Sequence, residues 1–458
     1  MQADTIAAIS TAPGVAGVAV IRLSGPDALR IADTLLPPAT RRVSEREPNT
    51  FFLAPLHHPK TRELLDRALV LIFHAPRSYT GEDTVEFQCH GGSQSPAKML
   101  DALLDAGARL ANPGEFTLRA FLNGRLDLTQ AEAVLDLLNA RTERAAAAAQ
   151  EQLSGRLRSA FDNLYDELLE TAATLEHHLD FNDDELSAEH LANTSRELSA
   201  RVNSVCLATT RLLATFREGH LLRDGATVVI AGPPNAGKSS LMNTLLGRSR
   251  AIVTPIAGTT RDTLEESFNL RGIPVRLVDT AGLRDTTCPV ESLGIERTRD
   301  ALRDADAILY LLDATLSEHD LAPLKELPQE RTLLLFNKTD LTTSRQADKP
   351  TSHLRFHVSA LRAETLAPVL DALHALLLDA APSSETIGAC ISSRHRQILV
   401  ATLEHCHAAL PLLEDASAGW VMAASALRQA ADGIATLTGR RYSDDLLDRV
   451  FARFCVGK

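Results

Sequence analysis

The sequence predicts a multidomain protein of α/β and α class. It reads as an N-terminal α+β domain, a discontinuous helical domain, and an inserted α/β domain with a mostly parallel sheet. Three changes of texture carry that prediction. Residues 4 to 120 mix strand-like runs with Gly and Pro punctuation, and residues 125 to 218 read as helix. From Gly225 short apolar runs alternate with helical segments, until helical texture returns beyond Pro382. The expected divisions are 1–123, 124–219, 220–380 and 381–458, in keeping with about one domain per 150 residues.

In the first part, Val15-Ala16-Gly17-Val18-Ala19-Val20-Ile21-Arg22-Leu23 and Thr84-Val85-Glu86-Phe87-Gln88-Cys89-His90 read as strands, set off by Pro13-Gly14, Gly91-Gly92 and Pro113-Gly114. In the second, Thr129-Gln130-Ala131-Glu132 reads as a capping box, with Ala133, Val134, Leu137 and Leu138 following at helical spacing. The alanine run 145–149 favours helix. Leu164, Leu168, Leu169 and Leu175 continue an apolar stripe suited to core packing. In the third, Val228–Ala231, Val275–Val278, Ile308–Leu312, Leu333–Phe336 and Phe356–Val358 alternate with helical segments. That pattern implies a parallel sheet covered on both faces.

Composition narrows the class. A formal net charge of -12 argues against a chain-wide electrostatic grip on nucleic acid, though not against a local basic patch. The cysteines at 89, 206, 288, 390, 406 and 455 form no C-x-x-C pair, which speaks against a zinc knuckle or redox motif and for a reducing compartment. No apolar run approaches a membrane span, and Met1-Gln2-Ala3-Asp4 lacks the basic start of a signal peptide. A cytoplasmic protein is expected. The ending Cys455-Val456-Gly457-Lys458 is not a prenylation box, because Gly457 is not aliphatic and Lys458 falls outside the usual terminal set.

One motif carries the chemistry. Gly232-Pro233-Pro234-Asn235-Ala236-Gly237-Lys238-Ser239 fits G-x-x-x-x-G-K-[ST] after a strand and at the opening of a helix, and Ser240 follows it. Backbone N–H groups and the helix N-terminus would cradle phosphates, Lys238 would reach the β- and γ-phosphates, and Ser239 would ligate Mg²⁺. Asp279-Thr280-Ala281-Gly282 follows a strand, with Asp279 placed near the Mg²⁺ and the Gly282 N–H near the γ-phosphate. Asn337-Lys338-Thr339-Asp340 ends another strand. The Asp340 carboxylate can accept two hydrogen bonds from guanine N1–H and the 2-amino group, a donor pair that adenine lacks. Ser359-Ala360-Leu361 would close the base pocket through backbone N–H groups. Ala257-Gly258-Thr259-Thr260-Arg261-Asp262 occupies the place of a switch segment, with Thr260 as second hydroxyl ligand of Mg²⁺. These elements, in this order on strand ends, predict GTP hydrolysis.

Leu283 stands where small signalling GTPases keep a water-orienting Gln. An acid or base from elsewhere, a partner, or a bound cation must compensate. Asn235 could offer an amide oxygen to such a cation. Arg284 reads equally as a solvated switch arginine.

Beyond these motifs the chain resembles the MnmE (TrmE) family of bacterial tRNA-modification GTPases. The resemblance is carried by Asp4–Ala8, Gly17–Gly25, Tyr79–Asp83, Cys89–Gly92, Pro113–Asn123, Asp127–Ala133 and Cys455–Lys458. It implies a GTPase that works with a flavin-dependent MnmG-type partner to install an aminomethyl-type group at C5 of the wobble uridine (U34) of certain tRNAs. A tetrahydrofolate derivative, of the 5-formyl-tetrahydrofolate kind, would supply the carbon. The N-terminal domain would be folate-binding-like and would form the homodimer, with G domains meeting under K⁺ stimulation.

The same resemblance assigns folate contacts to Arg22, Glu86, Arg125 (where the family often has Lys) and Lys458. It assigns K⁺ ligands to Asn235, Thr254, Ile256 and Thr259, extends the nucleotide contacts to Pro255, and makes Glu291 the water-activating acid. By the residues alone, Glu86 reads as a charge on an exposed strand face, and Glu291 and Glu296 are indistinguishable helix-surface acids. Cys455 is open to two readings: a thiolate activated near Lys458, or a small buried apolar residue. The competing class is a ribosome-assembly or signalling GTPase acting as a binding switch. It would carry an RNA-binding domain or lack an N-terminal partner domain. A folate-dependent methyltransferase with a regulatory GTPase would instead act through its N-terminal domain alone.

Overall fold

The computed structural model describes residues 4–179, 188–248, 267–279, 300–316, 324, 326–341, 354–378, 390–414 and 418–458. Along the chain, β1 (Ile6–Ile9), β2 (Val18–Ser24), α1 (Ala28–Thr34), β3 (Thr50–His57), β4 (Leu64–Phe73), β5 (Thr84–His90), α2 (Gln94–Asp105), β6 (Arg109–Leu110) and α3 (Glu115–Leu122) come first. Helices α4 (Leu128–Asn139), α5 (Glu143–Leu153), α6 (Arg156–Leu179), α7 (Ala188–Ala214) and α8 (Phe216–Asp224) follow. An α/β segment then runs through β7 (Ala226–Ala231), α9 (Lys238–Arg248), β8 (Ser267–Leu270), β9 (Ile273–Asp279), β10 (Ala307–Asp313), β11 (Thr332–Asn337), β12 (Leu354–His357) and α10 (Ala367–Leu377). Helices α11 (Ser393–Leu412), α12 (Ala418–Thr438) and α13 (Asp444–Phe451) end the chain.

The chain forms two compact units. The first takes in residues 1–135, 152–207 and 398–458, the second residues 136–151 and 208–397.

In the first unit a six-stranded sheet runs β3-β4-β5-β2-β1-β6, antiparallel except for the β1–β6 pair. Alternation along β2 decides its faces: Ala19, Ile21 and Leu23 are buried in a core with Val70, Phe87, Ile31, Leu35, Met99 and Leu103, contributed by the sheet, α1 and α2. Val20 and Arg22 therefore point to the opposite face, because successive strand side chains alternate. The strand begins at Val18, so Val15 and Gly17 precede it; Val15 is exposed. Arg119 of α3 is paired with Asp4, Glu82 and Glu115, and Arg109 with Asp4 and Glu115. Burial raises the Glu115 carboxyl, but the Arg109 guanidinium and the Asn112 N–H outweigh it and keep it ionised.

The last residues return to this domain. Gly114 N–H donates to the Cys455 carbonyl at 3.3 Å and Phe116 N–H to the Lys458 carbonyl at 3.2 Å, with a bridge between Pro113 and Val456. Gly457 makes that approach possible. It has φ +99°, and a Cβ there would lie 2.4 Å from the Ile9 carbonyl.

Helix α4 starts differently from the expected capping box. Asp127, not Thr129, is the cap: its carboxylate accepts the N–H groups of Thr129 (2.7 Å) and Gln130 (3.1 Å), and the Gln130 side chain accepts the Asp127 N–H at 3.0 Å. Thr129 is inside the helix and fully buried. The apolar stripe is also narrower than read. Leu164, Leu168 and Leu175 are buried along α6, whereas Leu169 falls off their i, i+3, i+4 face and is exposed; Leu137 and Leu138 keep helical spacing from Val134 but are exposed at the end of α4.

In the second unit the sheet runs β12-β11-β10-β7-β9-β8, with every pair parallel except β8–β9. Val228, Ile230, Leu309, Leu311, Leu333 and Leu335 fill one face under α9 and α10, and Val229, Ile308, Tyr310, Leu312 and Leu334 fill the other. Both faces being covered explains why these strands read as continuous apolar runs.

Candidate functional site

The parallel sheet of the second unit collects the motif residues at its carboxyl edge, where ligands bind in open α/β sheets. The P-loop leaves β7 and α9 begins at Lys238. Asp279 ends β9, Asn337 ends β11, and Ser359–Leu361 follow β12. Register puts Asp279 opposite Ile230 and Asn337 opposite Asp313.

Asn337 braces this edge. It is buried, its amide donates to the Ala236 carbonyl at 2.8 Å, and its Oδ1 accepts the Ala360 N–H at 2.7 Å. The Ala360 N–H expected to face the base is therefore engaged by Asn337. Leu361 is exposed beside it. Gly237 has φ +94°, and a Cβ there would fall 2.3 Å from the Asn337 amide nitrogen. Asn235 is exposed and holds φ +60°.

Lys238 is buried, with its ammonium on the Gly232 (3.1 Å) and Pro233 (3.0 Å) carbonyls. The Ser239 hydroxyl, an expected Mg²⁺ ligand, lies 3.2 Å from the Asp279 carboxylate expected beside that ion. Ser240 accepts from Thr244 within α9. The Lys338 ammonium pairs with Asp313 at 2.6 Å. Burial raises the Asp313 carboxyl, but Lys338 and Thr315 bring it below its ordinary value. The half-buried Asp340 carboxyl, with Ser359 beside it, lies below its ordinary value, in the ionised form that guanine needs.

Thr254, Pro255, Ile256, Ala257, Gly258, Thr259, Thr260, Thr280, Ala281, Gly282, Leu283, Arg284 and Glu291 lie outside the described residues.

A second cluster sits on the N-terminal sheet. Arg22 and Glu86 are directly opposite on β2 and β5 and pair at 2.7 Å. Glu86 is thus a paired, largely covered carboxylate rather than a solvated strand charge. The Arg22 guanidinium lies over the Tyr79 ring (5.2 Å) and the Phe116 ring (5.4 Å). Its Nη1 is buried with no hydrogen-bond partner among the described residues. Lys458 is brought to the same place. Burial, then the Arg22 charge, push its ammonium below its ordinary value, and Glu86 opposes them. Arg125 is exposed, with its stem packed beside Gly81. Cys455 is exposed, which overturns its reading as a buried apolar residue. Tyr79 and Phe116 lay within segments that carried the resemblance, but no spacing rule marked them as flanking an arginine.

A phosphate loop opening a helix, an Mg²⁺-type oxygen pair and a guanine-type carboxylate on one parallel sheet edge define a P-loop GTPase. Residues 5–125 match the model of the GTP-binding protein TrmE N-terminus, and residues 128–455 match that of the MnmE helical domain. A protein of Geobacter sulfurreducens named tRNA modification GTPase MnmE is 41% identical over 467 residues, covering 99% of each chain. Proteins of the same name from Symbiobacterium thermophilum and Natranaerobius thermophilus are 42% and 39% identical over 100% of both chains. The chain belongs to the MnmE (TrmE) family. The helical match brackets the α/β segment, as expected for a discontinuous helical domain.

Proposed function

We propose that this chain couples K⁺-stimulated, dimerisation-dependent GTP hydrolysis to modification of C5 of the wobble uridine in certain tRNAs, together with a flavin-dependent MnmG-type partner. The observation that carries the reading is full-length similarity, at about 40% identity, to proteins named tRNA modification GTPases. It would act in the cytoplasm as a homodimer. Among the described residues no helix is long and apolar enough to cross a membrane. The domain divisions given above are retained as part of this proposal.

The site chemistry fits the implied groups. Ser239 and Asp279 offer the hard oxygen donors that Mg²⁺ takes. Lys238 would exchange its backbone carbonyl partners for phosphate oxygens. Asp340, held ionised, would accept from guanine N1–H and the 2-amino group. Asn235 would join Thr254, Ile256 and Thr259 around K⁺, and Glu291 would take the water proton that Leu283 cannot.

On the N-terminal sheet, Arg22 with its unpartnered nitrogen and Lys458 with its depressed ammonium form a cationic pair suited to carboxylates. Glu86 would accept from pterin-like donors. A bound tetrahydrofolate derivative would supply the one-carbon unit. Arg125 would add a charge, and Cys455 is accessible for covalent chemistry.

The test measures GTP hydrolysis in K⁺ and in Na⁺ at equal ionic strength. A strong K⁺ preference, lost in Asn235→Ala and with hydrolysis abolished in Glu291→Ala, supports the reading; equal slow rates overturn the cation-dependent mechanism.

A further inference from the structure

We infer that Thr244 is a positioning residue for guanine recognition, joining the phosphate half of the nucleotide site to the base half. The inference rests on the reading that Asp340 and Ser359–Leu361 hold the base. Thr244 lies on α9, past the P-loop and outside every motif that the sequence displays. Its hydroxyl reaches the Ala360 carbonyl at 2.5 Å and the Ser240 carbonyl of its own helix at 3.0 Å.

Ala360 is the middle residue of the base loop and is almost fully buried. Its N–H is held by Asn337, which also grips the Ala236 carbonyl of the P-loop. Its carbonyl is held by Thr244. The loop is thus fixed to the phosphate-binding element at both backbone groups of one residue, and two side chains make the join. Asn337 belongs to a recognised motif; Thr244 supplies the other half.

A buried carbonyl that loses its donor keeps its desolvation cost, so the loop would shift outward to reach water. That shift would carry Ser359 and Leu361, the neighbours of Ala360 in the loop read as closing the base pocket. Thr244 therefore acts on the base through Ala360 and the loop around it, without touching the base. A lone helix threonine otherwise adds nothing to α9, since β-branching and back-bonding to the preceding turn both work against helix.

The experiment uses the full chain stripped of nucleotide, with a fluorescent GDP analogue in equilibrium titration and stopped-flow dissociation. Unlabelled GDP and IDP, which lacks the 2-amino group, compete. Thr244→Val keeps the shape and removes the hydroxyl, Thr244→Ser keeps the hydroxyl, and Thr244→Ala serves should the valine variant not fold. Loss of one hydrogen bond predicts about five- to tenfold weaker GDP binding in Thr244→Val, chiefly through faster dissociation. The preference for GDP over IDP should narrow, Thr244→Ser should return both to within about twofold, and kcat at saturating GTP should hold while KM rises.

Three results overturn the inference: GDP affinity within about twofold of the parent in both hydroxyl-free variants, no rescue by serine, or equal losses for GDP and IDP. Asp340→Asn separates the two levels. If it leaves GDP affinity unchanged, the base-pocket reading falls and the role of Thr244 falls with it. If it weakens GDP while the hydroxyl-free variants do not, only the role of Thr244 falls.

Discussion

Gly237→Ala should nearly abolish nucleotide binding while leaving most of the protein folded. At φ +94° an alanine pays backbone strain of about 1–2 kcal/mol. Its Cβ would also sit 2.3 Å from the Asn337 amide nitrogen, far inside contact distance. Asn337 cannot turn aside freely, because it is buried between Ala236 and Ala360 and would give up bonds of 2.8 and 2.7 Å. Two hydrogen bonds at about 1 kcal/mol each bring the total to about 3–4 kcal/mol. At about 1.4 kcal/mol per decade, GDP should bind about 10²–10³-fold more weakly. The assay is titration with a fluorescent GDP analogue, beside a thermal melt. Gly247→Ala is the matched control: it lies in α9, the helix that follows the P-loop, and its added Cβ meets nothing within 4 Å among the described residues. That change should leave affinity intact and stabilise the helix by about 0.4–1 kcal/mol. GDP affinity within about threefold of the parent in Gly237→Ala would refute the argument that Asn337 and Gly237 share one close-packed contact.

Other outcomes follow from the N-terminal and helical parts. Asp127→Ala removes the acceptor for two N–H groups at the start of α4 and should cost about 1–2 kcal/mol in chemical denaturation, whereas a loss below about 0.3 kcal/mol would reject the cap assignment. Burial raises the Asp66 carboxyl, but the Ser95 hydroxyl and the His90 N–H outweigh it and hold it at about 2. Its folded value lies below the unfolded one, so it contributes stability above pH about 4 that is lost as pH falls towards 2. Melting temperature against pH should accordingly fall less steeply over that window in Asp66→Asn, and parallel curves would contradict this. Burial pushes the Cys390 thiol up to about 11 and the Cys406 thiol up to about 12, while Cys455 is exposed. Brief alkylation of the native protein followed by peptide mapping should label Cys455 and spare the other two until urea is added; the reverse order would contradict the burial pattern.

Much of the architecture was written locally. The strand Thr84–His90 was legible end to end because its pattern is β-branched and aromatic with no competing helix period. Five of the six strands of the inserted sheet were visible as apolar runs because both sheet faces are covered; β8 (Ser267–Leu270) was not among them. Helix ends were less legible. Asp127 and Thr129 both satisfy a capping pattern with a partner at the third position, and only the backbone path selects Asp127. The exposed leucines at 137, 138 and 169 show the same limit: hydrophobicity marks a helix, but the neighbouring element decides which stripe is buried.

For the sites, the sequence by itself determined the residue types and their order: the P-loop, Asp279, Asn337 with Asp340, and the alternation that sends Arg22 away from the core. These are local properties, fixed by spacing of one strand or one turn. Tertiary structure alone decided the long-range meetings. It set Arg22 against Glu86 and Lys458, placed Tyr79 and Phe116 around that arginine, paired Lys338 with Asp313, and tied Thr244 to Ala360. The physical reason is that a hydrogen bond or ion pair depends on distances of about 3 Å between atoms far apart in the chain, and sheet register and helix packing set those distances.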